Sequence, residues 1–440
     1  MNFHSNEKEG PRYLQIYEYY KDLITGEKLK EGSKLPSIRK GAEQLQISRT
    51  TLESAYMLLL AEGYILSRPQ SGFYVTDIVR KKQQTSPVHI IRKQEDREIK
   101  YDFVTSNVDR QSFRFDLWRR YVKNALRQDE RLLSYGEPQG EREFREILCE
   151  YLKKNRSVVC SAEQIVIGAG VQSLLHILCS LIEGERKIAF QSRRFIQGQT
   201  IFEDHGFEIQ NDYKEEGTTA YYMSPSYLWS RDSLMNVTER MDLIRECRER
   251  NLLVIEDDYN SEFRYFQRPV PSIQGLAGGR GVVYIGTFSK MLLPSIRMSY
   301  MVLPPEMLER YETRKGRYNQ TASKAEQIAI SQFIRDGQLE RQIRKSRKIH
   351  MMKSEALKEA VNQIFGEKGR VQMDEGVFSV LLQLDTETEA ELIAERLKEK
   401  DVAVIPLEQT EKGKAQFLLS CTNVDITDYN EALSRIRECL

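Results

Sequence analysis

The sequence predicts a multidomain protein with a small α+β module at its amino-terminal end and a large α/β domain behind it. Three observations carry this prediction. Helical patterns separated by tight turns precede two short β patterns within the first 76 residues. Periodicity then disappears over residues 77–100, where charged side chains dominate. From Tyr101 onward, strand and helix patterns alternate, which is typical of a largely parallel sheet covered by helices.

The bulk composition is that of an ordinary globular protein. The 440 residues are 30% charged and 40% hydrophobic, with a formal net charge of +1, so charge alone indicates no partner. No apolar run is long enough to span a bilayer and no cleavable signal peptide is recognisable, so we expect a cytoplasmic protein. The six cysteines and five histidines are scattered without the spacing of a zinc site or a disulfide framework. We therefore expect buried free thiols and no metal site.

The amino-terminal module begins with an amphipathic helical pattern over residues 12–24. Its apolar side consists of Tyr13, Ile16, Tyr17, Tyr20 and Ile24. Ser37 is placed to cap a short helix that runs to about Leu45, and Ser48 begins another helix that continues to about Ala61. Residues 46–48 form the tight turn between these two helices.

Two short β patterns follow Gly63, which is expected to end the last of these helices. They cover residues 64–66 and 73–75, with a turn at residues 69–72 between them. Helix, turn, helix and β-wing in this order predict a winged helix-turn-helix, whose second helix meets DNA base edges with its amino-terminal end. The residues expected to contact DNA are Arg39, Ser48, Arg49, Thr50, Thr51 and the wing tip Gln70, Ser71 and Gly72.

The charge of this module leaves an alternative open. Residues 1–80 hold eleven Lys and Arg against ten Asp and Glu, which is not the basic footprint of a strong isolated DNA binder. A neutral helix-turn-helix can also be a protein-docking module. If the module reads DNA, the weak electrostatics of one copy imply a dimer that reads two half-sites.

Residues 77–100 are interpreted as an extended, solvated linker, whose basic part can also touch DNA. The predicted domain bounds are therefore 1–76 for the DNA-binding module, 77–100 for the linker and 101–440 for the large domain.

Three predicted strands of the large domain are followed by residues that can bind or react with a ligand. Residues 164–167 form a strand candidate that is followed by glycines at 168 and 170 and then by a helix from Val171 to about Leu181. Free amides at such a helix start can seat a phosphate. Residues 252–255 form a second strand candidate, followed by three carboxylates and Tyr259. A carboxylate there can pair with a protonated pyridine nitrogen and the tyrosine can reach a ring hydroxyl, although acidic clusters of this kind more often bind metal or solvent.

The third strand candidate, residues 282–285, is followed by Gly286-Thr287-Phe288-Ser289-Lys290 and, seven residues after the lysine, by Arg297. A lysine delivered at a strand end suits covalent capture of an aldehyde cofactor. Thr287 and Ser289 can donate to phosphate oxygens, and Arg297 can clamp them with two hydrogen bonds. Because open α/β sheets place ligands at the carboxyl ends of strands, the three strand ends together propose pyridoxal 5'-phosphate (PLP) as cofactor.

Several segments also resemble known families. The amino-terminal module resembles the GntR family of bacterial repressors in residues 35–39 and 48–51, and residues 101–440 resemble a fold-type I PLP-dependent aminotransferase. The whole chain resembles the MocR subfamily of GntR transcriptional regulators. The segments that carry the resemblance most specifically are residues 135–140, 256–265, 286–290, 294–297 and 337–341.

The resemblance implies roles for individual residues. Lys290 would be the Schiff-base lysine, Asp257 the partner of the pyridine nitrogen, and Tyr259 the partner of the ring hydroxyl. The phosphate would be held by Arg297, Thr287 and the amides of Val171 and Gln172. Phe195 stands where the family places an aromatic residue that stacks on the cofactor ring. Since family members are head-to-tail homodimers with shared sites, Tyr135 would reach the phosphate of the neighbouring subunit.

Departures from the family pattern bear on activity. Leu418 falls at the expected position of an arginine that clamps an amino-acid carboxylate, and Gln197 falls at that of a second arginine. The family also has a Pro-Thr-Gly-like segment before the strand that carries the aspartate. It should fall near residues 224–230, and its end is not recognisable here. Arg193 and Arg194 remain alternative sources of a clamp.

Three hypotheses follow from the sequence. The favoured one is a PLP-dependent DNA-binding regulator that senses an effector, either an amine or PLP itself, at Lys290; family members that govern vitamin B6 synthesis are the model for PLP as effector. The alternative is a catalytically active aminotransferase with an appended DNA-binding module. The third is a cofactor-free domain that only dimerises the DNA reader, and the joint presence of Asp257, Tyr259, Lys290 and Arg297 argues against it.

Overall fold

The computed structural model describes residues 11–76, 99–104, 108–193, 195–225, 235–259, 261–263, 270–373, 379–407 and 413–440. The chain divides into two compact units, residues 1–96 and 97–440. The predicted linker lies almost wholly outside the described residues.

The first unit is a three-helix bundle with a two-stranded wing. Its helices are α1 (Arg12–Thr25), α2 (Ile38–Leu45) and α3 (Arg49–Ala61), and its antiparallel strands are β1 (Ile65–Arg68) and β2 (Gly72–Val75). The buried core joins α1 to α3 through side chains that include Ile16, Tyr20, Leu52, Tyr56 and Leu59. Tyr13 was expected in this core and is exposed instead, because it lies in the first turn of α1, before the buried stripe begins at Ile16.

Local signals set the ends of these elements. The hydroxyl of Ser37 accepts from the amide of Lys40, and that of Ser48 accepts from the amide of Thr51, so both serines are N-caps as predicted. Gln46 takes a left-handed conformation with φ 52°, which allows α2 to end in the tight turn before α3.

The second unit is built around a seven-stranded sheet with the order β4-β10-β9-β8-β7-β5-β6. Its strands are β4 (Ile165–Gly168), β5 (Lys187–Phe190), β6 (Glu208–Gln210), β7 (Ala220–Met223), β8 (Leu253–Asp258), β9 (Val282–Thr287) and β10 (Ser299–Val302). Strand β10 runs antiparallel to both of its neighbours, and the other pairs within β5 to β9 are parallel. Strands β4 to β10 thus form the largely parallel sheet that the sequence predicts.

A smaller antiparallel sheet has the order β11-β12-β15-β14, and a separate parallel pair joins β3 to β13. These strands are β3 (Tyr101–Asp102), β11 (Gly369–Met373), β12 (Ser379–Asp385), β13 (Val402–Ala403), β14 (Ile405–Leu407) and β15 (Lys414–Ser420). The core at this sheet, which includes Leu382, Phe417 and Tyr429, is separate from the cores at the large sheet.

Helices cover the sheets of the second unit. Early in the unit are α4 (Phe115–Ala125), α5 (Asp129–Leu132), α6 (Arg142–Arg156), α7 (Val171–Leu181), α8 (Ile196–Asp204) and α9 (Val237–Glu249). They are followed by α10 (Ile273–Leu276), α11 (Pro305–Arg314), α12 (Lys324–Arg335), α13 (Gln338–Phe365), α14 (Ala390–Glu399) and α15 (Tyr429–Arg437).

Candidate cofactor site and DNA-reading face

Sheet register brings the three predicted strand ends to one edge of the large sheet. Thr287 at the end of β9 pairs with Ser299 of β10, which in turn pairs with Gly168 at the end of β4. On the other side of β9, Asp258 of β8 pairs with Gly286. The glycine turn, the carboxylates and the lysine turn therefore start from the same level of the sheet.

The three carboxylates lie inside β8 rather than after it, so the sequence ended this strand too early at residue 255. Pairing with β7 and β9 extends β8 through Asp258, because the neighbouring backbones continue to offer partners. Since side chains alternate along a strand, Glu256 and Asp258 point to one face and Asp257 to the other.

Asp257 combines a strong partner with a vacant acceptor. Its Oδ2 accepts a hydrogen bond of 2.6 Å from the hydroxyl of Tyr222 on β7. Its Oδ1 is buried and accepts no hydrogen bond from the residues that the structure describes. Burial raises the pKa of Asp257 from 3.8 to about 6.

The flanking carboxylates are used in the structure itself. Glu256 accepts from the backbone amides of Ile273 and Gln274 at the start of α10, both at 2.9 Å. Asp258 pairs with Arg156 at 2.7 Å, and this partner holds the pKa of Asp258 below its usual value although burial opposes it. These two side chains therefore have structural partners, and Asp257 lies on the opposite face of β8 from both of them.

Lys290 follows β9 in a turn and is buried. Its Nζ lies 4.7 Å from the ring centroid of Tyr259. Burial lowers the pKa of Lys290 from 10.5 to about 7, so a large share of its amine is neutral near neutral pH. A neutral amine is the form that attacks an aldehyde.

Arg297 meets the start of α7 at Gly170. An added Cβ on Gly170 would lie 2.5 Å from Nη2 of Arg297, so the guanidinium rests against this glycine. Gly170 is the N-cap of α7, and no side chain caps the helix, which leaves the first-turn amides of Val171 and Gln172 to point outward. An arginine beside a helix amino terminus is a suitable anion seat.

Hydroxyl groups next to this seat are already ordered. The hydroxyl of Ser299 donates to Oγ1 of Thr287 at 3.0 Å, and the amide of Ser289 also donates to that oxygen at 3.2 Å. Oγ1 of Thr287 lies 3.2 Å from Oγ of Ser289 and donates to it. The two hydroxyls predicted to reach a phosphate thus form one connected group.

Two further predicted residues have different surroundings. The ring of Phe195, at the start of α8, lies 5.3 Å from the ring of Tyr222 with an angle of 32° between the planes. Phe195 is thereby connected to Asp257 through Tyr222. Tyr135 is fully exposed, and it joins none of these contacts in a single chain.

The positions at which the sequence departs from the family lie on two different elements. Leu418 is a half-buried residue of β15 in the smaller sheet, and Gln197 is exposed in the first turn of α8. Arg193 donates to the side chain of Asn211, and Arg194 lies outside the described residues.

Sequence reasoning missed Tyr222 and the role of Ser224. The hydroxyl of Ser224 donates to the backbone carbonyl of Asp257 at 2.7 Å, so both residues position the central carboxylate. A polar residue at the end of an apolar strand was the available signal. This signal does not reveal that β7 lies next to β8. Tyr222 reaches Asp257 only because these two strands are adjacent.

The predicted DNA-contacting residues at the start of α3 lie at the surface. Ser48, Arg49 and Thr50 are exposed. The hydroxyl oxygen of Ser48 lies 2.9 Å from that of Thr50 and 2.6 Å from that of Thr51. Arg39 on α2 is exposed and forms a 3.4 Å ion pair with Glu43, a surface pair that a phosphate can replace.

The wing has a shaped tip and a basic flank. Gln70 and Gly72 have φ values of 60° and 104°, and the hydroxyls of Ser71 and Tyr74 are 2.6 Å apart. The ring of Tyr74 is flanked by Lys34 and Arg68, at 5.8 Å and 4.8 Å from its centroid. The sequence pattern did not single out these two cations. Lys34 comes from the segment between α1 and α2 and reaches the wing only in the fold.

Comparison with known proteins identifies both units. Residues 12–75 match the model of the gntR family of bacterial regulatory proteins, and residues 233–436 match that of class I and II aminotransferases. The uncharacterized HTH-type transcriptional regulator YdeL of Bacillus subtilis is 34% identical, over 97% of this chain and 96% of YdeL. The probable rhizopine catabolism regulatory protein MocR of Rhizobium meliloti is 28% identical, over 77% of this chain and 75% of MocR.

The chain belongs to the MocR subfamily of GntR transcriptional regulators. The predicted winged helix-turn-helix and fold-type I domain are thereby confirmed, and so is a regulator of transcription that binds DNA. The α-aminoadipate aminotransferase LysN of Thermus thermophilus, solved with N-(5'-phosphopyridoxyl)-L-leucine, shares the fold with a TM-score of 0.65 and 21% identity. The match covers 78% of this chain and 92% of LysN.

Within the described residues, no three or more His, Cys, Asp or Glu side chains come together as possible metal ligands. Over the same residues, no helix combines the length and the apolar character that crossing a membrane requires.

Proposed function

We propose that this regulator binds PLP at Lys290 and senses an amine, or PLP itself, at that site. The signal is relayed to a dimeric winged helix-turn-helix on an operator. The observation that carries the proposal is Asp257, a buried carboxylate whose Oδ1 lacks a hydrogen bond among the described residues although its Oδ2 is held by Tyr222. A buried acceptor of this kind is costly unless a ligand uses it.

The other residues fit the remaining parts of PLP. When bound, PLP supplies an aldehyde that reacts with amines and a pyridine ring that withdraws electrons. Lys290 provides an amine whose pKa burial lowers to about 7, so that much of it is neutral at neutral pH. Arg297 and the first-turn amides of α7 bind the phosphate, with the hydroxyls of Thr287 and Ser289 beside them. Phe195 packs on the ring, and Tyr259, next to Lys290, reaches the ring hydroxyl.

Asp257 has a defined task in this arrangement. An ionised Asp257 would accept a hydrogen bond from the N–H of the pyridine ring and so keep that nitrogen protonated. Tyr222 and Ser224 hold the carboxylate and its backbone in place. Tyr222 also packs against Phe195, so one tyrosine contacts both the partner of the ring nitrogen and the stacking residue.

Sensing fits the site better than turnover. The positions expected to carry carboxylate-clamping arginines hold Leu418 and Gln197, and Arg193 is engaged with Asn211. A transaminase needs a firm grip on the substrate carboxylate to orient the bond at Cα. We therefore expect at most residual transaminase activity, and an effector that needs no such grip.

A homodimer completes the site and the DNA reader. Tyr135 is fully exposed and Leu133 is 88% exposed, which makes them the two most exposed large hydrophobic side chains among the described residues. Placed at a two-fold interface, Tyr135 reaches the phosphate of the neighbouring subunit. Two winged modules then read two half-sites, which offsets the weak charge of a single module.

An absorption spectrum of the purified protein with added PLP, before and after borohydride, tests the cofactor. We expect a visible band that borohydride abolishes, that Lys290→Ala lacks and that the surface variant Lys348→Ala retains. A protein that takes up no PLP would leave the third hypothesis, a dimerisation domain. Steady conversion of an amino donor and a keto acid would favour the aminotransferase alternative over sensing.

A further inference from the structure

Two cysteines of the large unit are neighbours, contrary to the expectation of scattered buried thiols. Cys149 lies on α6 and Cys160 in the segment between α6 and β4, and their sulfur atoms are 3.6 Å apart. The Cys149 thiol donates to the backbone carbonyl of Cys160 at 3.1 Å. Both residues are half-buried, whereas the other four cysteines, Cys179, Cys247, Cys421 and Cys439, are buried.

We propose that Cys149 and Cys160 are a modification site at which a peroxide forms a reversible disulfide. The two thiols give up two protons and two electrons, one sulfur–sulfur bond forms, and the peroxide is reduced with cleavage of its oxygen–oxygen bond. With hydrogen peroxide the balance is two thiols and one peroxide to one disulfide and two waters. A dithiol reductant returns the protein to its starting state.

Formation of the bond requires the two sulfur atoms to come closer than they are in the structure. A disulfide has a sulfur–sulfur distance of about 2.05 Å, so the two sulfurs have to approach by about 1.5 Å. Cys160 lies in an irregular segment that follows α6 after Ser157, which has a left-handed φ of 56°. We expect a side-chain rotation together with a shift of this segment to close the gap, since Cys160 lies outside α6.

Burial sets the speed of the reaction. It raises the pKa of Cys160, and the neighbouring Cys149 adds to this effect. A thiol with a raised pKa is a poor nucleophile at neutral pH. The pair is therefore expected to react more slowly than an exposed thiol of ordinary pKa, and the disulfide to form within one chain because the partner sulfur is already in contact.

The residues between the two cysteines support the carboxylates of β8. Arg156 pairs with Asp258 at 2.7 Å. The side chain of Gln274 accepts a hydrogen bond from the backbone amide of Val159 at 2.9 Å and donates one to the carbonyl of Val159 at 2.7 Å. The backbone amide of Gln274 donates to Glu256. The disulfide would restrain this segment, which holds both neighbours of Asp257.

The test is a thiol count by maleimide mass tagging of the denatured full-length protein, before and after treatment with hydrogen peroxide. We expect the untreated protein to take up six tags and the treated protein four, with six again after reduction. Peptide mapping without reductant should find residues 149 and 160 in one cross-linked species. The control Cys247→Ser should fall from five tags to three, whereas Cys149→Ser and Cys160→Ser should keep five.

Two results would overturn the proposal. One is six tags that persist when the peroxide treatment is continued far beyond the time that fully oxidises a small dithiol in the same solution, since slow reaction of the buried pair would then have gone to completion. The other is a loss of tags that is the same in Cys149→Ser as in the wild type. Peptide mapping of the wild-type protein decides the matter even if a serine variant fails to fold, since a cross-link between other residues would contradict the assignment.

Discussion

Asp257 is a charge that the folded protein holds at a cost. The shift of its pKa from 3.8 to about 6 corresponds to about 3 kcal/mol of unfavourable energy for the ionised form. Because the folded pKa is raised, this cost is fully present above pH 6 and is relieved as the pH falls from about 6 towards 3.8. A cost of this kind is typical of a functional residue.

Asp257→Asn should therefore stabilise the protein in the absence of cofactor. We expect a gain of about 1 to 2 kcal/mol in the free energy of unfolding at pH 7, less than the full electrostatic cost because the new amide is itself buried. Denaturant unfolding at pH 7 and at pH 4.5 measures it, and the gain should shrink at the lower pH. A variant that is less stable than the wild type at pH 7 would show that the carboxylate is stabilising.

The lowered pKa of Lys290 predicts how the rate of its reaction with PLP depends on pH. Its neutral fraction grows as the pH rises, and a pKa of about 7 puts the midpoint there. The rate at which the visible band forms after PLP is added to cofactor-free protein should rise from pH 6 and level off above pH 8. A rate that keeps rising tenfold per pH unit to pH 9, as for a model amine of ordinary lysine pKa, would contradict the lowered pKa.

Some site residues could be read from the sequence and others could not. Lys290 and Arg297 are near each other in the chain and follow an apolar strand, so local pattern was sufficient to propose their chemistry. Tyr222 acts on Asp257 from a strand 35 residues away. Its role depends on which strands are adjacent, and hydrophobic periodicity does not contain that information.

At the scale of elements, the amino terminus of α7 depends on a glycine. Gly170 has a φ of 86° and no room for a side chain beside Arg297, while Gly278 has a φ of 68° with nothing within 4 Å. Alanine at either position should cost about 1 kcal/mol of stability through backbone strain. We expect Gly170→Ala alone to weaken PLP binding at least tenfold in a fluorescence or absorbance titration, since it displaces Arg297.

Equal PLP affinity in Gly170→Ala and Gly278→Ala would show that Arg297 does not hold the phosphate. The pair of variants separates this conclusion from a general loss of stability, because both replace a glycine of left-handed conformation.

The wing is the element to which the structure adds most beyond the sequence. Lys34 and Arg68 flank Tyr74, and a cation at this place is suited to a phosphate. Lys34→Ala should weaken binding to all DNA sequences alike and lower the slope of log affinity against log salt by about 1. Fluorescence anisotropy at several salt concentrations measures both, with Lys21→Ala on α1 as control. An unchanged slope would place the wing away from the DNA backbone.

The end of β8 illustrates a limit of local pattern. Ionisable side chains are rarely buried, so three successive carboxylates predict the end of a strand. In the structure β8 instead pairs with β9 up to Asp258. Arg156 binds Asp258, and the backbone amides at the start of α10 bind Glu256. These partners come from distant segments of the chain. The sequence therefore predicts the correct residues at the sheet edge, but it ends the strand at the wrong residue.

At the scale of the whole molecule, the proposal requires a dimer. Leu133→Asp puts a charge at a strongly exposed apolar position that we assign to the interface, whereas Met241 on α9 is 46% exposed and not assigned to it. Leu133→Asp should shift the mass measured by analytical ultracentrifugation from dimer towards monomer and weaken PLP binding. Met241→Asp should do neither. A dimer that withstands Leu133→Asp and still binds PLP as the wild type would remove Leu133 from the interface.

The central claim is that occupancy of the Lys290 site changes how the paired winged modules bind DNA. This requires two arrangements of the protein that differ in how they bind DNA. An effector shifts the balance only if it binds these two arrangements with different affinity. The most direct test is operator affinity of the full-length protein without cofactor, with PLP, and with PLP and an amine, compared between wild type and Lys290→Ala. We predict that at least one addition changes the wild-type affinity fivefold or more and that Lys290→Ala loses this response. An operator affinity that is the same under all three conditions, or a response that Lys290→Ala retains in full, would contradict the account.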